Sequence, residues 1–280
     1  MLLNIKTFFE STVNKLLSVY DLEEAKSIVF LLMESVLRLN KIDFLSQKEM
    51  VVHQDDIQSF GRAVERLQSH EPVQYIIGEA FFYENWFFVD RNVLIPRQET
   101  EELVDWIVKS KPGSKKILDI GTGSGCIIIS LDLKLDVETI GWDVSAPAIE
   151  VAHRNATSLG AKTIFKQIDI LDNVPPEKFD LIVSNPPYVL AHEKGSMHKN
   201  VLAYEPERAL FVPDRDPLLF YRRIVEVSKD LLNPAGWLYF EINESFGKEV
   251  YTLMRSNGLE AVEVKKDLNG KDRMVRGKML

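Results

Sequence analysis

Two short stretches carry residue types whose spacing can do chemistry. The first is Ile117-Leu118-Asp119-Ile120-Gly121-Thr122-Gly123-Ser124-Gly125-Cys126. An apolar run ends in three glycines at alternate positions and leads into a second apolar run. Glycine lets the chain turn sharply and lets a ligand approach the backbone. The spacing is Gly-x-Gly-x-Gly, not the Gly-x-Gly-x-x-Gly of turns that seat a pyrophosphate on a helix N-terminus. The tighter turn suits a ligand end with no phosphate, such as the amino-acid end of S-adenosylmethionine. Asp119 is placed to receive that ligand's ammonium, directly or through water. Asp143 ends the next β-run, twenty-two residues after Gly121. A carboxylate there can accept both hydroxyls of a ribose and would repel a 2′-phosphate. Asp169 and Ile170 end the third run and offer an acceptor and an apolar surface for an adenine, although Asp169 alone also fits a helix cap.

The second stretch is Asn185-Pro186-Pro187-Tyr188, which follows the apolar run Leu181-Ile182-Val183-Ser184. Two prolines remove two backbone donors and stiffen the loop, while their carbonyls remain as acceptors. Asn185 adds a side-chain carbonyl and Tyr188 a flat face. Together they describe a site for a planar group bearing an NH2. The nitrogen of such a group is a poor nucleophile because its lone pair is delocalised. Acceptors at Asn185 Oδ1 and the Pro186 carbonyl would orient it and favour the positive charge that grows on it during transfer. Tyr188 would stack on the planar group and hold it in line. No strong general base is required, so His192 and His198 are read as loop histidines. Taken alone, the tetrapeptide also fits a rigid loop, and the glycines an ordinary strand-to-helix turn.

The elements that must hold these stretches follow from periodicity. From residue 115 onward, β-runs at Lys116–Ile120, Glu138–Trp142, Thr163–Gln167, Phe179–Ser184, Gly236–Ile242, Val262–Lys266 and Arg273–Gly277 alternate with helical patterns. The helices are expected at Ser124–Lys134, Ala146–Leu159, Pro217–Leu232 and Gly247–Asn257. That alternation predicts an α/β fold with a parallel, doubly wound sheet, whose ligand crevice lies at the carboxyl ends of the strands. Both chemical stretches fall there. Asn269-Gly270 predicts an antiparallel hairpin between the last two runs. A helix over Gln98–Lys109 begins with acidic residues, as the helix dipole favours. Upstream, apolar residues at helical spacing in Ile5–Tyr20, from Asp21 on, and in Asp55–Gln68 predict a small helical domain over residues 1–70. Asp21 with Glu24 reads as a capping box. Residues 71–90, with β-rich runs at Val73–Gly78, Ala80–Tyr83 and Trp86–Val89, are expected to form a linking β-hairpin. Residues 91–280 are then the catalytic domain.

Composition narrows the classes. The chain has 280 residues with a hydrophobic fraction of 45% and a charged fraction of 27%, a globular mix. No apolar run approaches the roughly 18 to 20 residues of a membrane helix, and the N-terminus lacks the order of a signal peptide. One cysteine, Cys126, excludes an intrachain disulfide framework and a cysteine-based zinc site. The expectation is a cytoplasmic protein with no metal, no membrane partner and a single subunit. The net charge is −8, and residues 1–75 hold eight Lys/Arg against eleven Asp/Glu, a net −3. Neither figure suits a general phosphate-binding surface, so no direct nucleic-acid contact is expected.

These motifs together resemble the HemK/PrmC family of protein-(glutamine-N5) methyltransferases. The similarity runs through Glu71-Pro72-Val73-Gln74-Tyr75-Ile76-Ile77-Gly78 and Ile95-Pro96-Arg97-Gln98-Glu99-Thr100-Glu101, where Gln98 stands at the family's middle proline. It continues through Ser184-Asn185-Pro186-Pro187-Tyr188-Val189, Tyr204-Glu205-Pro206-Glu207-Arg208-Ala209-Leu210 and Asp267-Leu268-Asn269-Gly270-Lys271-Asp272-Arg273. The resemblance implies a Rossmann-like class I methyltransferase fold with a C-terminal antiparallel hairpin, and S-adenosylmethionine as cofactor. It implies as substrate the glutamine of the Gly-Gly-Gln loop in class 1 peptide chain release factors. By the same resemblance, Gly121, Thr122, Gly123, Ser124, Gly125, Asp143, Ile170 and Asn185 would contact the cofactor. Asn185, Pro186, Pro187 and Tyr188 would hold the substrate glutamine, with Asn185, Pro186 and Tyr188 catalytic. The helical domain would dock the release factor. The alternative is a nucleic-acid amino-methyltransferase acting on adenine or cytosine, which shares the cofactor turn and the Asn-Pro-Pro-Tyr chemistry. A non-catalytic module would need one of the two motifs broken, and both are intact. Arg97 and Thr100 lie where they could reach the cofactor's methionine end, and Glu205-Pro206 either braces the substrate loop or begins the next turn.

Overall fold

The computed structural model describes residues 2–39, 41–45, 49–110, 113–172 and 174–280. The chain divides into two compact units. One holds residues up to 78 together with 198–204, and the other holds 79–197 and 205–280.

The first unit is helical. Ile5–Leu16, Leu22–Leu37 and Gln54–Gln68 bury Val13, Leu16, Val29, Leu32, Phe60 and Leu67 in one core. Local chemistry sets the helix starts: Asn4 Oδ1 accepts from Thr7 N at 3.0 Å, and Asp21 Oδ1 from Glu24 N at 2.9 Å. Each satisfies an amide that a helix N-terminus leaves unpaired. A two-stranded antiparallel pair, Leu2–Asn4 with Glu49–Val51, accompanies the helices and was not expected.

The β-rich Val73–Gly78 run is corrected by the structure. Val73–Ile77 is a short helix, with Pro72 at its N-cap and Gly78 closing it at φ 79°. Proline just before a helix and a left-handed glycine just after it outweigh the β-propensity of Val, Tyr and Ile. The hairpin is therefore shorter than the expected 71–90, with strands Glu79–Phe82 and Asn85–Phe88. Its turn falls on Tyr83 and Glu84, both at positive φ.

The second unit is built on a seven-stranded sheet. In chain order its strands are β1 Lys116–Ile120, β2 Glu138–Asp143, β3 Ile164–Gln167, β4 Phe179–Ser184, β5 Leu232–Glu241, β6 Leu259–Lys266 and β7 Asp272–Met279. Their spatial order is β3-β2-β1-β4-β5-β7-β6, with β7 antiparallel to both neighbours and every other pair parallel. The order reverses between β1 and β4, the position where doubly wound sheets open a ligand crevice. Alternation along β1 sends Leu118 and Ile120 into one apolar layer and Ile117 into the other. The helices Leu219–Leu231 and Gly247–Ser256 cover the first layer, and Gln98–Ser110, Cys126–Lys134 and Ala146–Leu159 the second. Lys111 and Pro112, expected to follow the helix that ends at Ser110, lie outside the described residues. After β4 the chain makes short elements that periodicity did not reveal, among them a 3-10 turn at Ala191–Ser196 and helices Lys199–Tyr204 and Glu207–Leu210.

Candidate active site

A cavity of about 320 Å³ opens at the carboxyl ends of β1, β2 and β4. The glycine turn forms one wall. Gly121, Gly123 and Gly125 all have positive φ, at 76°, 54° and 81°. L-residues rarely adopt that conformation, which accounts for the alternate spacing. A Cβ at Gly121 or Gly123 would enter open space, whereas one at Gly125 would come within 2.8 Å of Ile129 Cδ1. Two glycines thus keep backbone bare toward the cavity, and the third lets the following helix pack closely. The amides of Gly121 and Thr122 both donate to the Trp142 carbonyl, at 2.8 and 2.9 Å, which ties the turn to the end of β2.

Asp143 closes the far side of the turn. Its Oδ2 accepts from Gly123 N and its Oδ1 from Ser145 N, each at 2.9 Å. Each oxygen keeps a further lone pair, so the carboxylate can still receive two hydroxyls. Burial raises its pKa, and the backbone donors act against that rise. Asp119 differs from the direct-contact reading. It is fully buried and absent from the cavity wall, with Oδ2 accepting from Thr122 Oγ1 at 2.7 Å. Its Oδ1 has no hydrogen-bond partner among the described residues. Burial pushes its pKa up to about 7. Ile170 lines the cavity with Ile168 and Ile224, three apolar side chains on one stretch of its lining. Asp169 also lines it and turns Oδ1 onto Leu171 N at 2.9 Å.

Asn185, Pro186 and Pro187 form a second wall, and Thr100 and Arg97 also line the cavity. Asn185 Nδ2 donates to Thr100 Oγ1 at 3.2 Å, which leaves Oδ1 for another partner. Thr100 Oγ1 donates in turn to Glu241 Oε2 at 2.6 Å. Tyr188 is not part of the cavity wall; its hydroxyl donates to Glu241 Oε1 at 2.9 Å. Glu241 is fully buried, and burial raises its pKa against the pull of both hydroxyls and of Arg273. Glu205 is a brace, buried and accepting from Ile95 N at 3.1 Å and from Arg97 Nη2 at 2.6 Å. Cys126 is buried, its thiol pushed up to about 12, and packs against the second apolar layer. His192 stands exposed beside Asp214, away from the cavity.

Two residues of this framework escaped the sequence reading. Glu241 is the one charge in the apolar end of β5, Trp237-Leu238-Tyr239-Phe240-Glu241-Ile242, and that isolation was the available signal. Asn155 lies on the face of Ala146–Leu159 that turns inward and is 1% exposed. It exchanges hydrogen bonds with Phe88 N and O at 2.7 and 3.0 Å and donates to Ser124 O at 2.9 Å. It therefore holds the glycine turn to the hairpin. Nothing in its sequence surroundings announced this.

Comparison with known proteins adds an independent line. The profile of the "Methyltransferase small domain" matches residues 98–208, and that of the "PrmC N-terminal domain" matches residues 12–78. The chain is 45% identical to the release factor glutamine methyltransferase of Bacteroides thetaiotaomicron, over 92% of its own length and 94% of that protein. It is 41% identical to the protein of the same name from Flavobacterium psychrophilum, over 97% and 98%. Among solved structures, a methyltransferase from Pyrococcus furiosus superposes with a TM-score of 0.52 at 17% identity, over 69% of this chain and 87% of that one, a likeness of fold.

Proposed function

The chain belongs to the release factor glutamine methyltransferase family, and from that premise we propose which of its residues carry the reaction and how. It is an S-adenosylmethionine-dependent enzyme that methylates the side-chain amide nitrogen of the glutamine in the Gly-Gly-Gln motif of class 1 release factors. The observation that carries the residue assignment is that two neighbouring walls line one cavity. Bare glycine backbone and Asp143 make the first, and Asn185 with an uncommitted Oδ1 makes the second, after the paired strand ends Ile120 and Ser184.

The first wall fits the cofactor. Gly121, Thr122, Gly123, Ser124 and Gly125 would pass along its methionine end, Asp143 would take the ribose hydroxyls, and Ile170 would lie on the adenine. Asp119, buried behind the turn, would hold it in shape through Thr122 Oγ1. When bound, the cofactor supplies an electrophilic methyl group on a sulfonium sulfur.

The second wall prepares the nucleophile. An amide nitrogen holds its lone pair in conjugation with the carbonyl. Asn185 Oδ1 and the Pro186 carbonyl accept its two hydrogens and turn the nitrogen toward the methyl. These acceptors bind more strongly as the nitrogen becomes positive, so their contribution is greatest in the transition state. Pro187 stiffens the loop, and Tyr188, outside the cavity wall, anchors the end of that loop on Glu241. Once the nitrogen has taken the methyl group it would carry a surplus proton, which Asn185 Oδ1 and the Pro186 carbonyl would hold until it passes to solvent.

The helical unit supplies the docking surface for the release factor. The enzyme acts as a cytoplasmic monomer. It makes no direct nucleic-acid contact, a reading supported by the net charge of −8 and the acidic balance of residues 1–75. Among the described residues no helix is long and apolar enough to cross a membrane. Peptide mass spectrometry of a treated class 1 release factor tests the site of transfer. One added methyl on the Gly-Gly-Gln peptide, fragmenting at the glutamine, is expected. Methylation at any other residue would refute it.

A further inference from the structure

We infer that Glu241 is a positioning residue that fixes which end of the Asn185 amide faces the substrate, acting through Thr100. This inference rests on the role just given to Asn185 Oδ1 and explains how that atom is kept available.

Glu241 does not line the cavity and is 1% exposed. As a carboxylate it only accepts, and each oxygen receives one hydroxyl: Thr100 Oγ1 at 2.6 Å and Tyr188 Oη at 2.9 Å. A hydroxyl has one proton to give. Thr100 has given its own to Glu241, so toward Asn185 it presents lone pairs alone. The Asn185 amide meets it through Nδ2, at 3.2 Å. The rotated amide would set Oδ1 against Oγ1 with no proton between them. The polarity therefore runs from Asn185 NH2 to Thr100 to Glu241, and the Asn185 carbonyl is turned to the cavity. With the opposite polarity the site would present an NH2, which pairs with a substrate amide through its carbonyl and turns the wrong atom to the methyl.

The backbone of both Glu241 and Tyr188 is itself held. Tyr221 Oη donates to the Glu241 carbonyl at 3.1 Å, and Asn243 Nδ2 donates to the Tyr188 carbonyl at 3.3 Å. One buried group thus grips both ends of the Asn-Pro-Pro-Tyr loop.

The test compares Thr100→Ser, Thr100→Val and Glu241→Gln with the wild type in kcat and KM for the release factor, cofactor affinity by calorimetry, and Tm. Thr100→Ser keeps the hydroxyl and should stay within about threefold in kcat. Thr100→Val and Glu241→Gln should lose about ten- to hundredfold in kcat, with cofactor affinity within about threefold. In an Asn185→Ala background Thr100→Val should cost nothing further, because no amide remains to be oriented. An unchanged kcat in Thr100→Val, or the same fractional loss with and without Asn185, would overturn the inference. A readout free of substrate separates this from the functional reading. In nitrogen-15-labelled protein the Asn185 NH2 protons should show a nuclear Overhauser contact to Thr100 that Thr100→Val abolishes. Its absence from the wild type would overturn the inference whatever the enzyme methylates.

Discussion

Replacing Asn185 with alanine separates the chemistry from the binding. The side chain is partly buried at the cavity wall, and its one protein partner, Thr100 Oγ1, keeps its bond to Glu241 when Asn185 is lost. No buried polar group is orphaned, so the fold should lose no more than about 1 kcal/mol. The transition state loses an acceptor for a nitrogen that is gaining positive charge. Removing one preorganised hydrogen-bonding group of that kind costs about 2.7 to 4 kcal/mol, or about a hundred- to thousandfold in kcat. Cofactor affinity should change by less than about tenfold, because the glycine turn, Asp143 and Ile170 remain. Methyl transfer to a release factor under saturating cofactor gives kcat, and calorimetry gives the affinity. A kcat near the wild-type value, or an affinity loss as large as the kcat loss, would refute the role given to Asn185.

Asp143→Ala should do the reverse, weakening cofactor binding by about ten- to hundredfold through loss of hydrogen bonds to a charged acceptor, while kcat at saturation is largely retained; a titration beside single-turnover rates would show it. Asn155→Ala removes three hydrogen bonds at a buried site; it should destabilise the protein by about 2 to 4 kcal/mol, read from denaturant unfolding. Asp119 gives a pH signature. Its pKa is raised to about 7, so the folded protein keeps a proton that the unfolded chain releases near the ordinary carboxylate value. The associated stability is full below about pH 4 and is lost as pH rises toward about 7, at up to ~1.4 kcal/mol per pH unit. Asp119→Asn should flatten that part of a stability-against-pH curve, and an unaltered slope would contradict the assignment.

The legible parts of the molecule were those fixed by short-range physics. The glycine turn announced itself because three positive-φ positions demand glycine at those spacings. β1 and β4 were read to the residue because apolar runs bounded by turns leave little choice. Val73–Ile77 misled because its β-favouring side chains are read residue by residue, while the helix is decided by Pro72 and Gly78 at its ends. Glu241 and Asn155 were hidden for a different reason. Their partners lie 141 and 67 residues away in the chain, so only the folded arrangement brings Thr100 and Phe88 to them. The Asn-Pro-Pro-Tyr loop was visible in the sequence, and the buried carboxylate bonded to Thr100 and Tyr188 was not.

The most direct test of the central claim is transfer of label from radioactive S-adenosylmethionine to a purified class 1 release factor. It should be run beside the Gly-Gly-Gln→Gly-Gly-Ala variant of that factor and a duplex DNA. Label on the wild-type factor alone is the expected result. Label on the DNA, with none on the factor, would keep the cofactor cavity and the Asn185 chemistry but contradict the glutamine as substrate.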